Sequence, residues 1–231
     1  GRFGFSSTQT QIIFSVGLAT FGLMTVAAGR LLPKIGPRNT ALAGGGLLGA
    51  GYILAGLMGT SFTTQLIFIG VVGGAGIGLA YVVPLGVGVK WFPDKKGLIT
   101  GLGVAGFGFG ATIWVKLGEP LIASFGTLNV FLYYGIIFLA MVVIGAFTMV
   151  NPPEGYSVED DSGSEGGEKT KKSKLGTVDY EWKDMIKTKQ FWTIWILFVF
   201  GALAGLMVIG NIKLFGIGAL EEGGMKAGAA S

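Results

Sequence analysis

Apolar residues gather into six runs along the chain, at 11–32, 39–58, 65–89, 97–117, 127–150 and 191–212, parted by four short polar gaps and one long one. Each run holds about 20 residues or more, and at about 1.5 Å of rise per residue that length crosses a hydrocarbon layer of roughly 30 Å. Lipid gives the backbone no hydrogen-bonding partner, so every run is predicted to be an α-helix. The pattern specifies an all-α integral membrane protein crossing the bilayer several times, and the plasma membrane is its expected location. Ser6 with Gln9, and Thr8 with Gln11, have the spacing of capping boxes that open the first helix.

Charge then orients these helices. Arg30, Lys34 and Arg38 surround the first gap, Lys90, Lys95 and Lys96 the third, and Lys183, Lys187 and Lys189 stand closest to the sixth run. The second gap is uncharged, and the fourth, a turn expected from Lys116 to Gly126, holds only Lys116 and Glu119. Nine basic residues against one place the basic gaps in the cytoplasm. In the long segment 151–190, Asn151-Pro152-Pro153 ends a helix, and the Ser, Gly, Glu and Lys that follow up to about Gly176 read as disordered linker. From Asp179 onward, Trp182, Met185 and Ile186 have helical spacing and Asp179 precedes Lys183 by four. That suits either a short helix lying on the membrane face or a helical extension of the last run. Residues 1–10 lack a signal-peptide pattern and the polar 221–231 adds no span, so both ends are expected to be cuts within a longer membrane protein.

Composition agrees, with 51% hydrophobic and 13% charged residues and a mean hydropathy of +0.66. A pI near 9.2 would suit a nucleic-acid partner, but the basic residues flank spans and the aromatics sit inside them, so orientation explains it. Histidine and cysteine are absent, which removes imidazole bases, thiolates, disulfides and most transition-metal sites. No cofactor, metal or catalytic residue is expected, and no enzyme.

Glycine accounts for 43 of 231 residues. Gly45 and Gly49, then Gly70, Gly74 and Gly78, then Gly97, Gly101, Gly106 and Gly110 are spaced so that helix backbones approach closely in lipid. Gly101-Leu-Gly103-Val-Ala-Gly106 has the letters of a dinucleotide-binding loop, but no strand precedes it, so it reads as a packing face.

No ionisable residue lies near the centre of a run; Lys116 and Lys213 fall at the outer interface, where they snorkel to water. Tyr81 precedes Lys90 by nine residues, about 14 Å along a helix, which sets its phenol near mid-membrane. Pro84 removes a backbone hydrogen bond at the same level. Tyr81 is thus the pathway candidate, with a phenol bonded to a neighbouring helix as the alternative. Phe107 and Phe109 alternate with glycines and line an aromatic wall or simply pack, and Trp114 suits the outer aromatic belt.

Two turns carry a resemblance. Gly29-Arg-Leu-Leu-Pro33-Lys34-Ile-Gly36-Pro-Arg38 is similar to the signature loop between helices two and three of the major facilitator superfamily, with Pro33 where that motif usually has aspartate. Lys90-Trp-Phe-Pro-Asp94-Lys95-Lys96-Gly97 with Val104-Ala-Gly-Phe-Gly-Phe-Gly110, and Gln190-Phe-Trp192 later, closely resemble the oxalate/formate antiporter family within it. The resemblance implies a partial major-facilitator helical bundle: helices two to six in 1–150, the inter-half linker in 151–190 and helix seven in 191–231, six of twelve helices in all. It implies alternating access, a small organic anion as substrate with the lipid bilayer as surroundings, and anion exchange or proton coupling. Its aromatic cage places Tyr81, and Phe107 where a tyrosine can occur; Pro84 joins the expected pathway from its place beside Tyr81 alone. Gly29, Lys34, Gly36, Arg38, Asp94, Lys95 and Lys96 are expected in cytoplasmic gating loops. A drug or sugar as cargo, or a scaffold that moves nothing, are the rival readings.

Overall fold

The computed structural model describes residues 5–153, 156 and 182–203, and every regular element among them is helical. The chain divides into two units, Gly1–Ser162 and Gly163–Ser231.

The first helix opens as its capping box requires. The Gln9 N–H donates to Ser6 Oγ at 3.2 Å and the Ser6 N–H to Gln9 Oε1 at 3.0 Å, starting the helix at Ser7, four residues ahead of the predicted run. This helix, α1 (Ser7–Met58), absorbs two predicted runs and the gap between them; the only break is Gly36, at φ 82° and ψ 166°. Side chains close the break, with Asn39 Nδ2 donating to the Ile35 carbonyl at 3.0 Å and the Thr40 hydroxyl to the Gly36 carbonyl at 2.8 Å. Pro37, whose fixed φ suits a first helical turn, starts the second arm. The six-residue gap is therefore corrected to a one-residue corner. That φ/ψ region is essentially glycine's alone and costs other residues about 1–3 kcal/mol. Gly36→Ala is accordingly expected to destabilise the full-length protein by about that amount in a thermal melt. Gly29→Ala, at a helical position where an added Cβ meets nothing within 4 Å, is the matched control and should not lower the melting point.

The next rod is continuous but not uniform: α2 (Phe62–Gln65), a π-helix (Leu66–Gly73) and α3 (Gly74–Trp91). Apolar periodicity predicts plain α-helix here, and the wider π turns have no signal in the sequence. Gln65, buried at the head of this rod, donates through Nε2 to the Gly59 carbonyl at 2.8 Å and so caps the end of α1. Then come α4 (Lys96–Phe125) and α5 (Thr127–Thr148), joined at Gly126 with φ 80°. The turn expected from Lys116 to Gly126 is corrected, since α4 carries Lys116, Glu119 and Pro120 onward to Phe125. Pro120 withholds a donor only from the exposed Lys116, near the helix end, so it does not stop the helix.

Contacts between small residues give the direction of each rod. A Cβ built on Gly74 would meet Gly17 O at 2.6 Å, and one on Gly78 would meet Phe21 O at 2.6 Å, so the first arm of α1 runs parallel to α3. A Cβ on Gly44 would stand 2.6 Å from Ala80 N, and one on Gly51 2.6 Å from Phe68 O, so the second arm runs antiparallel to the same rod. On its other side that arm meets α5 antiparallel, through Gly49 against Leu139 and Gly56 against Leu132. The up-and-down course expected from the charge pattern follows, with the Gly36 corner, the turn after Trp91 and the end of α5 at one end. There Ala41, Val83, Val87 and Ala146 form a buried core, flanked by Leu32, Leu42, Trp91 and Met149. The glycines of the fourth run behave differently from expectation: a Cβ on Gly97, Gly101, Gly106 or Gly110 meets nothing within 4 Å among the described residues.

In the second unit, α6 (Trp182–Met185) and α7 (Lys189–Leu203) are separated by a turn, so α6 is not a continuous extension of α7. Lys187 pairs with Asp184 at 3.0 Å. Residues 1–4, most of the linker, Asp179, Lys213, and the rest of the sixth run with all that follows lie outside the described residues.

Candidate functional site

Three rods bring aromatic rings together around Tyr81. From α3, Tyr81 lies edge-on to Phe107 of α4, with centroids 5.6 Å apart and planes at 70°. Phe21, from the first arm of α1, completes the wall, 5.4 Å from Tyr81 and 6.0 Å from Phe107. Sequence reasoning paired Tyr81 with Phe107 only through a resemblance and missed Phe21, one of 17 phenylalanines with no distinguishing spacing. Contact at Gly17, Gly74 and Gly78 is what brings the two backbones near enough for these rings to meet.

The Tyr81 hydroxyl makes no hydrogen bond among the described residues, so the alternative of a phenol bonded to a neighbouring helix is not realised there. Phe107 is about half exposed, at 51%. Pro84 is exposed one turn beyond Tyr81, and Phe109 is 73% exposed and outside the trio. Trp114 is committed elsewhere: it packs edge-on to Tyr134 and Phe138 of α5, and its carbonyl accepts the Tyr134 hydroxyl at 2.8 Å. An open apolar groove of about 600 Å³ follows Phe191, Ile194, Trp195 and Phe198 in the second unit, without an ionisable group in its lining.

The expected gating residues occupy the end of the first unit where the basic turns meet. Lys34, Arg38, Asp94, Lys95 and Lys96 are exposed, and Asp94 stands 4.0 Å from Lys95, the outer limit of an ion pair. Arg38 does not join Lys34 there; its guanidinium lies over the Phe147 ring of α5 at 4.2 Å. Next to it Lys90 Nζ donates to Asn151 Oδ1 at 3.1 Å, and Trp91 Nε1 donates to the Val150 carbonyl at 2.8 Å. The same indole meets Tyr156 edge-on at 5.1 Å. The root of the linker is thus bound to the end of α3, a set of contacts that sequence separation hides. Gly29 and Gly36 flank this cluster without crowding, since a Cβ at either meets nothing within 4 Å, while the φ of 82° still reserves position 36 for glycine.

Among the described residues no cluster of acidic side chains could hold a metal ion. What the trio can do chemically is present one phenolic hydroxyl beside two phenyl rings, in a bundle whose rods are long and apolar enough to span a membrane.

The sequence model of the Major Facilitator Superfamily matches residues 1–231. The chain belongs to the major facilitator superfamily. It is accordingly a multi-pass plasma-membrane protein of a transporter family. Among curated proteins it is 30% identical over 210 residues to an uncharacterized MFS-type transporter, YhjX, of Escherichia coli. It is 26% identical over 213 residues to the oxalate:formate antiporter of Oxalobacter formigenes, and those two alignments cover 88% and 92% of this chain. The chain spans 48% of the length of either relative. Over 91 residues, 39% of this chain and 16% of the relative, it is 40% identical to apicoplast pyruvate carrier 1 of Toxoplasma gondii.

Proposed function

We propose that this major facilitator chain supplies helices two to seven of a secondary carrier that moves small organic anions, mono- or dicarboxylates, by alternating access, either exchanging anions or coupling them to protons. The observation that carries the reading is the Phe21–Tyr81–Phe107 wall, where a mid-depth hydroxyl unpaired among the described residues stands beside exposed ring surface. The names of two relatives, an oxalate:formate antiporter and a pyruvate carrier, support a carboxylate cargo. The described spans place no ionisable residue beside the trio, so on this reading the charge that meets the carboxylate comes from the other half. Rocking of the halves about that midplane site delivers the anion to either face.

The basic end of the bundle serves as the gate in this reading. Lys34, Arg38, Asp94, Lys95 and Lys96, with Gly29 and Gly36 at the corner, hold the inward-closed state through contacts at helix ends. Uptake of labelled oxalate, formate and pyruvate into proteoliposomes carrying the full-length protein tests the cargo. Saturable uptake of at least one, accelerated by internal anion or by an inward proton gradient, is the expected result. Transport of sugars or amphipathic cations alone would replace the cargo, and no transport of any solute would favour a scaffold.

A further inference from the structure

Phe21 lies against both other rings of the wall, nearly parallel to Phe107 at 23° and steeply inclined to Tyr81 at 65°. Its place is fixed by backbone contact, because a Cβ on Gly78 would stand 2.6 Å from the Phe21 carbonyl oxygen and 2.8 Å from Met24 Cβ. Among the described residues the wall therefore offers a solute two phenyl rings and one donor, the Tyr81 hydroxyl. Phenyl faces are electron-rich and turn a carboxylate away, while their area covers methyl and methylene groups. A short dicarboxylate needs donors at both ends, since a buried anionic group left unpaired is costly. With charge from the other half meeting one carboxylate, the second would lie on the hydrocarbon of this wall. A monocarboxylate with a short apolar tail fits the same surface without that loss, its tail on Phe21 and Phe107 and its carboxylate toward Tyr81.

Resting on the carrier reading, we propose that Phe21 is a specificity-determining residue that favours monocarboxylates with a short apolar tail over dicarboxylates. The test measures how unlabelled formate, acetate, butyrate and oxalate inhibit labelled acetate uptake by the full-length carrier in proteoliposomes. In the unmodified protein, affinity should rise from formate to butyrate and be weakest for oxalate. Phe21→Ala should weaken butyrate about tenfold, the size of effect expected for one or two methylenes in an apolar pocket, and leave formate within about twofold. Phe21→Leu, which keeps apolar volume, should restore most of the butyrate affinity. Phe107→Tyr, which adds a second hydroxyl, should strengthen oxalate inhibition roughly tenfold. Oxalate competing best in the unmodified protein, or Phe21→Ala weakening formate and butyrate equally, overturns the proposal while leaving the carrier reading intact. An absence of saturable carboxylate uptake in the unmodified protein defeats both.

Discussion

Tyr81→Phe in the full-length carrier should weaken carboxylate uptake roughly tenfold or more, because a hydrogen bond to a charged group contributes about 1.5–3 kcal/mol. The change deletes one oxygen and leaves the ring, so the edge-on contacts to Phe21 and Phe107 survive. Tyr81→Ala removes those contacts as well and is expected to reduce uptake further. The measurement is initial uptake rate against anion concentration, with surface abundance and melting temperature followed in parallel. A rise in half-saturating concentration with unchanged abundance assigns the loss to the site. Uptake that stays the same for every anion tested removes Tyr81 from the pathway.

The second large effect concerns folding. A Cβ on Gly76 would collide with Leu48 N and lie 2.7 Å from Gly44 O, so the obstacle is backbone with no side chain that can yield. Gly76→Val should therefore force α3 away from the second arm of α1 and cost about 3 kcal/mol or more, beyond the usual range for overpacking of side chains. Little folded protein is expected after detergent extraction, read as loss of the monodisperse peak on size exclusion. Gly110→Val makes the comparison, since a Cβ there meets nothing within 4 Å among the described residues. Equal yields of the two variants would show that the α1–α3 contact is looser than described.

Much of this arrangement was legible because membrane helices write themselves into composition. Run length announced the rods, and the alternation of basic gaps announced that those gaps share one end of the bundle, where Arg38 meets Phe147 and Lys90 meets Asn151. Glycine spacing foretold close approach correctly for Gly74 and Gly78, yet the same spacing in α4 meets no neighbour among the described residues. A four-residue repeat says that a face is small; it does not say what lies against it. Pro33 and Pro120 fall inside the expected polar gaps, but a proline near a helix corner or end withholds few backbone hydrogen bonds, and the helices run through. The π-helix at Leu66–Gly73 left no mark in the apolar pattern because the run is hydrophobic on every side. At the site, Tyr81 stood out as the phenol at mid-depth, whereas Phe21 is about sixty positions away in sequence and became visible only when the first arm of α1 was laid on α3.

The central claim is that the face bearing Phe107 lines a path open to one side at a time. The described chain has no cysteine, so Phe107→Cys can serve as a lone reporter in a full-length carrier otherwise free of cysteine. Sealed vesicles of known orientation are treated with an impermeant thiol reagent from either face, with and without a saturating carboxylate. The account predicts labelling from both faces, slowed on each by the bound anion. Labelling from neither face, or rates indifferent to the anion, would contradict it.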